Sequence, residues 1–210
     1  MSEDSTSTPR SVDTREAIMH ATYKALCEHG YADLTIQKIA DEFEMTTAVL
    51  HYHYDTKEDL LAAFLEWVLN EYTDRIDVSN IEDPQDRLLA LIDELLLGLD
   101  DDETSGPPFD RGRAFNTALL EMRGQAARRE PFREQFTANY NLVKEMIIAT
   151  INDGIEQGVF READAEQVAT LVLAAMLGGR AYDVSLFHEG SATAVREAIE
   201  ELLVKELLEA

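Results

Sequence analysis

The sequence predicts an all-α chain of nine helices, three at the front and six behind, arranged as two domains. Three observations carry this. Apolar residues recur at i, i+3, i+4 and i+7 in one segment after another, the spacing of a single helix face. No segment alternates apolar and polar residues as a strand would, and no glycine-rich phosphate loop or internal repeat interrupts the pattern. Helix punctuation then divides the periodic stretches: hydroxyl residues before them, Gly30 and the 154–158 region after them, and Pro84 and Pro131 at first helical positions.

Residues 1–10, rich in serine and threonine, read as a disordered tail. The first helix is capped by Ser11 or Thr14, turns Ile18, Thr22, Ala25 and Leu26 inward, and stops at Gly30. Cys27, near its end, reads as a small core residue, and a single cysteine precludes an internal disulfide. Thr35 caps a second helix whose inner face is Ile36, Ile39, Ala40 and Phe43. After a tight turn at 43–45, Thr46 offers another cap to a short helix from Thr47 to His53. Only Leu50 and Tyr54 need face inward there. Thr56 caps a fourth helix with Leu61, Phe64, Leu65, Val68 and Tyr72 inward, running to about Ile76. Residues 11–56 therefore read as one small domain and 57–210 as a second, larger one.

The rear helices follow the same logic. Asp83-Pro84 opens the fifth, through Leu88, Leu91, Ile92, Leu95, Leu96 and Leu99. The acids, Gly106 and two prolines of 100–108 make a loop. A sixth helix over 110–127 carries Phe115, Leu119 and Met122. The seventh starts at Glu130-Pro131, and the eighth and ninth span 163–188 and 191–208.

The outward face of the 47–53 helix is chemically unusual. It offers Thr47, Ala48, Val49, His51, Tyr52 and His53, where an ordinary solvated face carries Asp, Glu, Lys and Arg. Methyl groups suit thymine contacts, and hydroxyl, phenol and imidazole groups suit phosphates and base edges. A helix, a tight turn and a second exposed helix form a helix-turn-helix. An aromatic surface patch for protein contact is the plainer alternative.

Thr35, Ile39, Ala40, Met45, Thr46, Leu50, His51, His53, Tyr54, Lys57 and Leu60 together carry a family pattern. The stretch 35–57, with its flanking helices, resembles the DNA-binding domain of TetR-type transcriptional repressors. Glu44 stands where that family has a turn glycine, and His51 where it has tyrosine. The resemblance implies a TetR-type fold and a DNA-binding set of Thr35, Thr46, Thr47, Ala48, Val49, His51, Tyr52, His53 and Lys57. In it His51, Tyr52 and Lys57 take phosphates, while Thr47, Ala48 and Val49 face base edges. Lys57 opposes the dipole of its own helix, which a phosphate bound at that helix start would reconcile.

The resemblance also implies a homodimer on a palindromic operator of double-stranded DNA, released by a small-molecule inducer. Gly178 and Gly179 each cost their helix about 1 kcal/mol relative to alanine. Close approach of another helix compensates, so Ala174, Gly178, Gly179, Ala181, Tyr182, Val195, Ile199 and Leu202 form the candidate dimer interface. Trp67, Phe115, Asn116, Met122, Phe136, Asn139 and Tyr140 place polar and aromatic groups at core depth and form the candidate ligand pocket, with ordinary core packing as the alternative. The stretches RAFNTALLEMRGQAARRE and QGVFREADAEQVATLVLAAMLGG are loosely similar to the betaine-pathway repressor subgroup.

Composition narrows the alternatives. The 210 residues include 42 acids and 18 bases, for a formal charge of −24. Even 10–58 carries nine acids against five bases, whereas a nucleic-acid-binding domain is ordinarily basic. The acids are spread along the whole chain, and five lysines accompany thirteen arginines. This suits a halophilic, salt-accumulating cytoplasm, where the screening length falls to roughly 3 Å at 1 M salt. An acidic helical adaptor that keeps the helix-turn-helix as a protein-interaction scaffold is the second reading. An enzyme is not expected, because His51, His53 and Asp55 are spaced i, i+2 and point apart on a helix, and nothing else resembles a catalytic set. No cofactor, metal site, signal peptide or membrane span is expected.

The charge yields a first prediction. The midpoint of thermal unfolding, followed by circular dichroism, rises as KCl goes from tenths of molar to several molar. A midpoint independent of KCl removes the salt adaptation.

Overall fold

Two apolar clusters organise the chain, and the first is not confined to the front helices. The computed structural model describes residues 9–43, 46–74, 76, 78–97, 113–187 and 190–208. Nine helical rods cover them, with no strand among the described residues: α1 (Pro9–Asp33), α2 (Ile36–Asp41), α3 (Thr47–His53), α4 (Lys57–Asp74), α5 (Pro84–Leu97), α6 (Arg113–Gln125), α7 (Glu130–Glu156), α8 (Ala165–Ser185) and α9 (Ser191–Ile199). The last rod continues through a π-helical stretch (Glu200–Val204) into a final α turn (Lys205–Leu208). No described helix is long and apolar enough to cross a membrane. The tail at 1–8, the turn at Glu44 and Met45, the loop at 100–108 and the Tyr72 side chain lie outside the described residues.

Several boundaries differ from the sequence reading. α1 starts at Pro9, so Ser11 and Thr14 lie inside the helix instead of capping it. A proline suits a first helical position because its φ is already helical and its missing N–H costs nothing there. Gly30 breaks α1 as expected, with φ 69°. Phe43 is half exposed, because α2 stops at Asp41 and its i+7 position falls beyond the helix.

The first cluster joins Ile18 and Leu26 of α1, Ile39 of α2, Leu50 of α3 and Leu60 to Val68 of α4. Phe115, Ala118 and Met122 of α6 and Phe132 and Phe136 of α7 complete it. Tyr23 packs on Phe115 at 5.0 Å between ring centres, and Tyr31 on Phe132 at 6.2 Å. Polar ties reinforce the seam. The Tyr31 N–H donates to Glu121 Oε2 at 2.8 Å, and Arg129 pairs with Glu58 at 3.1 Å. The cluster therefore runs across the expected 56/57 boundary without a gap in packing.

The second cluster joins α5, the later half of α7, α8 and α9 through Leu88, Leu91, Ile147, Ile151, Val172 and Met176. Arg196 of α9 forms a two-pronged pair with Asp93 of α5, at 2.6 and 3.1 Å, and this pairing holds its guanidinium more firmly protonated. Gly190, at the start of α9, has no side chain to cap with. Asp183 of α8 supplies the missing acceptor, taking the Ser191 and Ala192 N–H groups at 2.6 and 3.0 Å.

α7 ends against the ring of Phe160. The Gly154 carbonyl accepts from the Val159 and Phe160 N–H groups, at 2.9 and 3.0 Å, which folds the ring back over Gly154. A Cβ at position 154 would stand 2.1 Å from Phe160 Cδ2. Gly154→Ala is therefore predicted to lower stability by about 1–3 kcal/mol through overpacking. Chemical denaturation measures it, and an unchanged midpoint would mean that the ring swings away freely.

Candidate nucleic-acid interface and effector cavity

α3 is a short helix held by two anchors. Leu50 is fully buried and Tyr54 nearly so, four residues apart on its inner side. Thr35 caps α2 as the sequence implies, accepting the Lys38 N–H at 3.2 Å. Thr46 does not cap α3 through its side chain. Its carbonyl takes the Val49 N–H at 3.0 Å. The anchors leave Thr46, Ala48, His51 and Tyr52 exposed, with Tyr52 at 84%, and Thr47, Val49 and His53 half-buried. The His53 ring stands edge-on to Tyr52 at 5.1 Å and tilted to Tyr54 at 6.4 Å. Two aromatic neighbours thus fix its place on the face.

Lys57 departs from the sequence reading. Its ammonium is turned inward, donating to the Leu34 carbonyl at 2.6 Å and the Tyr31 carbonyl at 3.3 Å, and lying 5.1 Å from the Tyr31 ring centre. Partial burial pushes its pKa down. The physical reason is the chain path. Gly30 breaks α1, so the following carbonyls lack helical partners, and Lys57 satisfies two of them. Lys38 does the same for the Asp33 carbonyl at 2.9 Å. The start of α4 is closed internally: Asp59 accepts from the Thr56 N–H and hydroxyl at 3.1 and 2.7 Å, and Glu58 adds a second acid to the first turn.

The seven residues expected to line one ligand pocket separate. Phe115 and Met122 are core, packed in the seam between α6 and α1. Trp67 borders a cavity of about 480 Å³ between α1 and α4, with its ring edge-on to His20 at 5.1 Å. Burial pushes the His20 pKa down. The Tyr54 hydroxyl, which lacks a hydrogen-bond partner among the described residues, belongs to a residue bordering the same space. Asn116 borders a second cavity, of about 310 Å³, beside Arg113 and Asp183. Asn139 and Tyr140 border a third, of about 320 Å³, walled by α5, α6, α7 and α8. Phe136 is buried, and its ring underlies the Arg123 guanidinium at 4.5 Å. Helical periodicity finds depth, but it does not tell which side of a rod faces which neighbour.

Arg123 and Arg180, both lining the third cavity, were missed. A signal existed. Arg123 lies four residues after Leu119 and Arg180 four after Met176, so both continue apolar stripes in a chain rich in acids. Arg180 donates to the Leu95 and Leu96 carbonyls near the end of α5. Among the described residues, Glu28, His29 and Glu42 bring metal-ligating atoms within 4.8 Å of one another, on side chains that solvent reaches.

The candidate dimer residues divide as well. Gly179 is buried against α9 of its own chain, where a Cβ would meet Val195 Cγ2 at 3.1 Å and Ala192 Cα at 3.2 Å. Ile199 is also core, so Gly179, Val195 and Ile199 serve packing within the chain. The small residue there lets α8 and α9 approach, which is the compensation expected of it, but inside one chain. Ala174 is exposed, Gly178 opens onto free space, and Ala181 is half-buried. Tyr182 and Leu202 stand outward, at 54% and 74% exposure. Leu171 and Leu177 add to this bare stripe.

Comparison with known proteins follows this geometry. Residues 18–64 match the family of bacterial regulatory proteins described as tetR family, and residues 84–208 match the BetI-type transcriptional repressor, C-terminal family. The chain is 41% identical to a TetR transcription regulator from Haloarcula marismortui ATCC 43049, over 94% of this chain and 100% of that one, with a TM-score of 0.82. A transcriptional regulator from Saccharomonospora viridis, solved in complex with choline, shares the fold at 23% identity and a TM-score of 0.81, over 95% of this chain and 100% of that one. The HTH-type transcriptional regulator BetI of Stenotrophomonas maltophilia (strain R551-3) is 28% identical over 95 residues, 44% of this chain and 47% of the relative. The match thus spans about half the length of that curated relative.

The inward turn of Lys57 generates a prediction. Lys57→Ala strands two carbonyls and is expected to lower stability by about 1–3 kcal/mol. A thermal melt in molar KCl measures this without DNA. A fully stable variant would return the side chain to the surface.

Proposed function

Since the chain belongs to the TetR family of transcriptional regulators and carries a BetI-type C-terminal domain, we propose that it is a dimeric DNA-binding repressor released from a palindromic operator by a small molecule. The observation that carries this reading is the outer face of α3. Buried Leu50 and Tyr54 hold it from beneath, while Ala48, His51 and Tyr52 stand free. A helix held from below and bare of carboxylates on its outer side suits a major groove. Thr47, Ala48 and Val49 read base edges, and His51 and Tyr52 take phosphates. Lys57 acts from behind, by fixing the start of α4 against the end of α1.

The partner copy sits on the bare stripe of α8 and the last rod, centred on Leu171, Gly178, Tyr182 and Leu202. Two copies of this stripe would cover apolar surface that a monomer leaves wet. The effector occupies the cavity between α5 and α8, and α6 relays it. Met122 packs against the head, and Arg123, the next residue, borders the cavity. An effector that shifts α6 therefore shifts a wall of the head, and with it the spacing of the two recognition helices. The working place is a cytoplasm of molar KCl. The acidic surface and the Haloarcula relative support this.

Fluorescence anisotropy on the chain's own upstream DNA in molar KCl tests the reading. Thr47→Ala and Val49→Ala alter which bases are preferred, whereas Tyr52→Phe weakens all sequences by about 1 kcal/mol. Leu202→Glu yields monomers in sedimentation and abolishes operator binding, while Gly179→Glu lowers stability by disrupting α8 on α9. A folded dimer that shifts no DNA at any salt would leave the acidic adaptor in place of the repressor.

A further inference from the structure

The third cavity holds an electrostatic imbalance. Arg123 is half-buried, and its one described contact is the Phe136 ring at 4.5 Å. Neither a hydrogen bond nor an ion pair engages its guanidinium among the described residues. Arg180 borders the same space and is fixed there by two carbonyls of α5. The chain carries 42 acids, yet no described carboxylate lines this cavity. Burial and the neighbouring Arg180 both push the Arg123 pKa down, so the folded protein disfavours this charge as it stands. A desolvated cation beside a second one is costly unless an anion joins it.

We propose that the effector is a small organic acid whose carboxylate binds Arg123 beside Arg180. This rests on the reading of the chain as an effector-released regulator. A planar guanidinium meets a carboxylate through two parallel N–H groups, which fixes orientation as well as charge. The rest of the molecule is apolar, because Leu95, Val143, Leu173 and Met176 form the walls. Asn139 and Tyr140 are placed to take one further polar group. The volume, about 320 Å³, is at the low end of ligand sites, which sets a short aliphatic or single-ring body. A quaternary ammonium does not suit the cavity. It needs aromatic faces or acids, and Tyr140 is the one aromatic among its described lining residues.

Hexanoate and benzoate are the probes, with hexanamide, benzamide, choline and inorganic phosphate as controls, on the full chain at fixed molar KCl. Calorimetric titration and the thermal midpoint read binding, and anisotropy reads operator release. The expected result is that an acid binds and raises the midpoint, while its amide and choline do not. Arg123→Gln weakens the acid about ten- to a hundredfold, the loss of a charged hydrogen-bonding partner, and Arg123→Lys recovers part of it. Equal binding of acid and amide, preference for choline, or failure of both acids to bind overturns the proposal. Phosphate binding as tightly as the acids also overturns it, because the apolar walls would then contribute nothing. If Arg123→Gln does not fold, the acid and amide pair on the unaltered chain decides. Acid binding that depends on Arg123, in a chain that binds no operator, would sink the regulator reading and leave the site standing.

Discussion

The front helices cannot close their own core. Leu50 and Tyr54, with Leu61 and Phe64 of α4, bury one side of the head, and the same cluster is completed by Phe115, Ala118 and Met122 of α6 and Phe132 and Phe136 of α7. A unit of some fifty residues ordinarily buries too little apolar surface to stand securely alone. Here the shortfall is made up by the rear domain, and everything else depends on that seam. α6 lies against the head, and α8 is tied to α6 through the Arg113 guanidinium on the Asp183 and Val184 carbonyls, at 2.6 and 3.1 Å. One rod is therefore a wall of two compartments. Neighbouring residues on it, Met122 and Arg123, face different ones.

Charge is handled by position. The surface is strongly acidic, and two of the three lysines before α5 do little to offset it, since Lys38 and Lys57 spend their ammonium groups on backbone carbonyls near the Gly30 break, while Lys24 stays exposed on α1. Elsewhere arginine side chains do structural work at helix ends: Arg113 at the end of α8, Arg180 at the end of α5, Arg161 on the Glu206 carbonyl at the last turn. Cations at helix C-termini complement the dipole and satisfy orphan carbonyls at once. An acid-rich chain with few bases places them where one charge serves both ends.

The fold was legible because its signals are local. Periodicity marked every helix, Gly30 and the 154–158 region marked ends, and Thr35, Thr56 and Pro84 marked starts. The outer face of α3 was legible for the same reason, since seven residues with two anchors have one possible inside. The rest failed where an answer depended on neighbours distant in sequence. Met122 and Arg123 cannot be assigned to opposite sides without knowing that α1 lies on one and α8 near the other. Gly179 reads as a contact for a partner until a Cβ there is found to meet Ala192 Cα of α9 in the same chain at 3.2 Å. Lys57 reads as free until the carbonyls of Tyr31 and Leu34 are brought beneath it.

For the repressor proposed above, the inward turn of two of its front lysines, Lys38 and Lys57, has a consequence for how a site on a chromosome is found. Ordinary DNA-binding proteins hold any sequence loosely through phosphate contacts and slide, which shortens the search. With Lys38 and Lys57 withdrawn, Arg15 and Lys24 the exposed bases of α1, and Asp41, Asp55 and Asp59 exposed near α3, such a repressor would have few cations to slide on. Its search would then run through open solution, by repeated collision and release. In return, the rest of the genome would sequester little of it. Occupancy of an operator then follows the total number of molecules in the cell almost directly, so a modest change in synthesis or turnover registers at the promoter without being buffered by a reservoir of non-specifically bound protein.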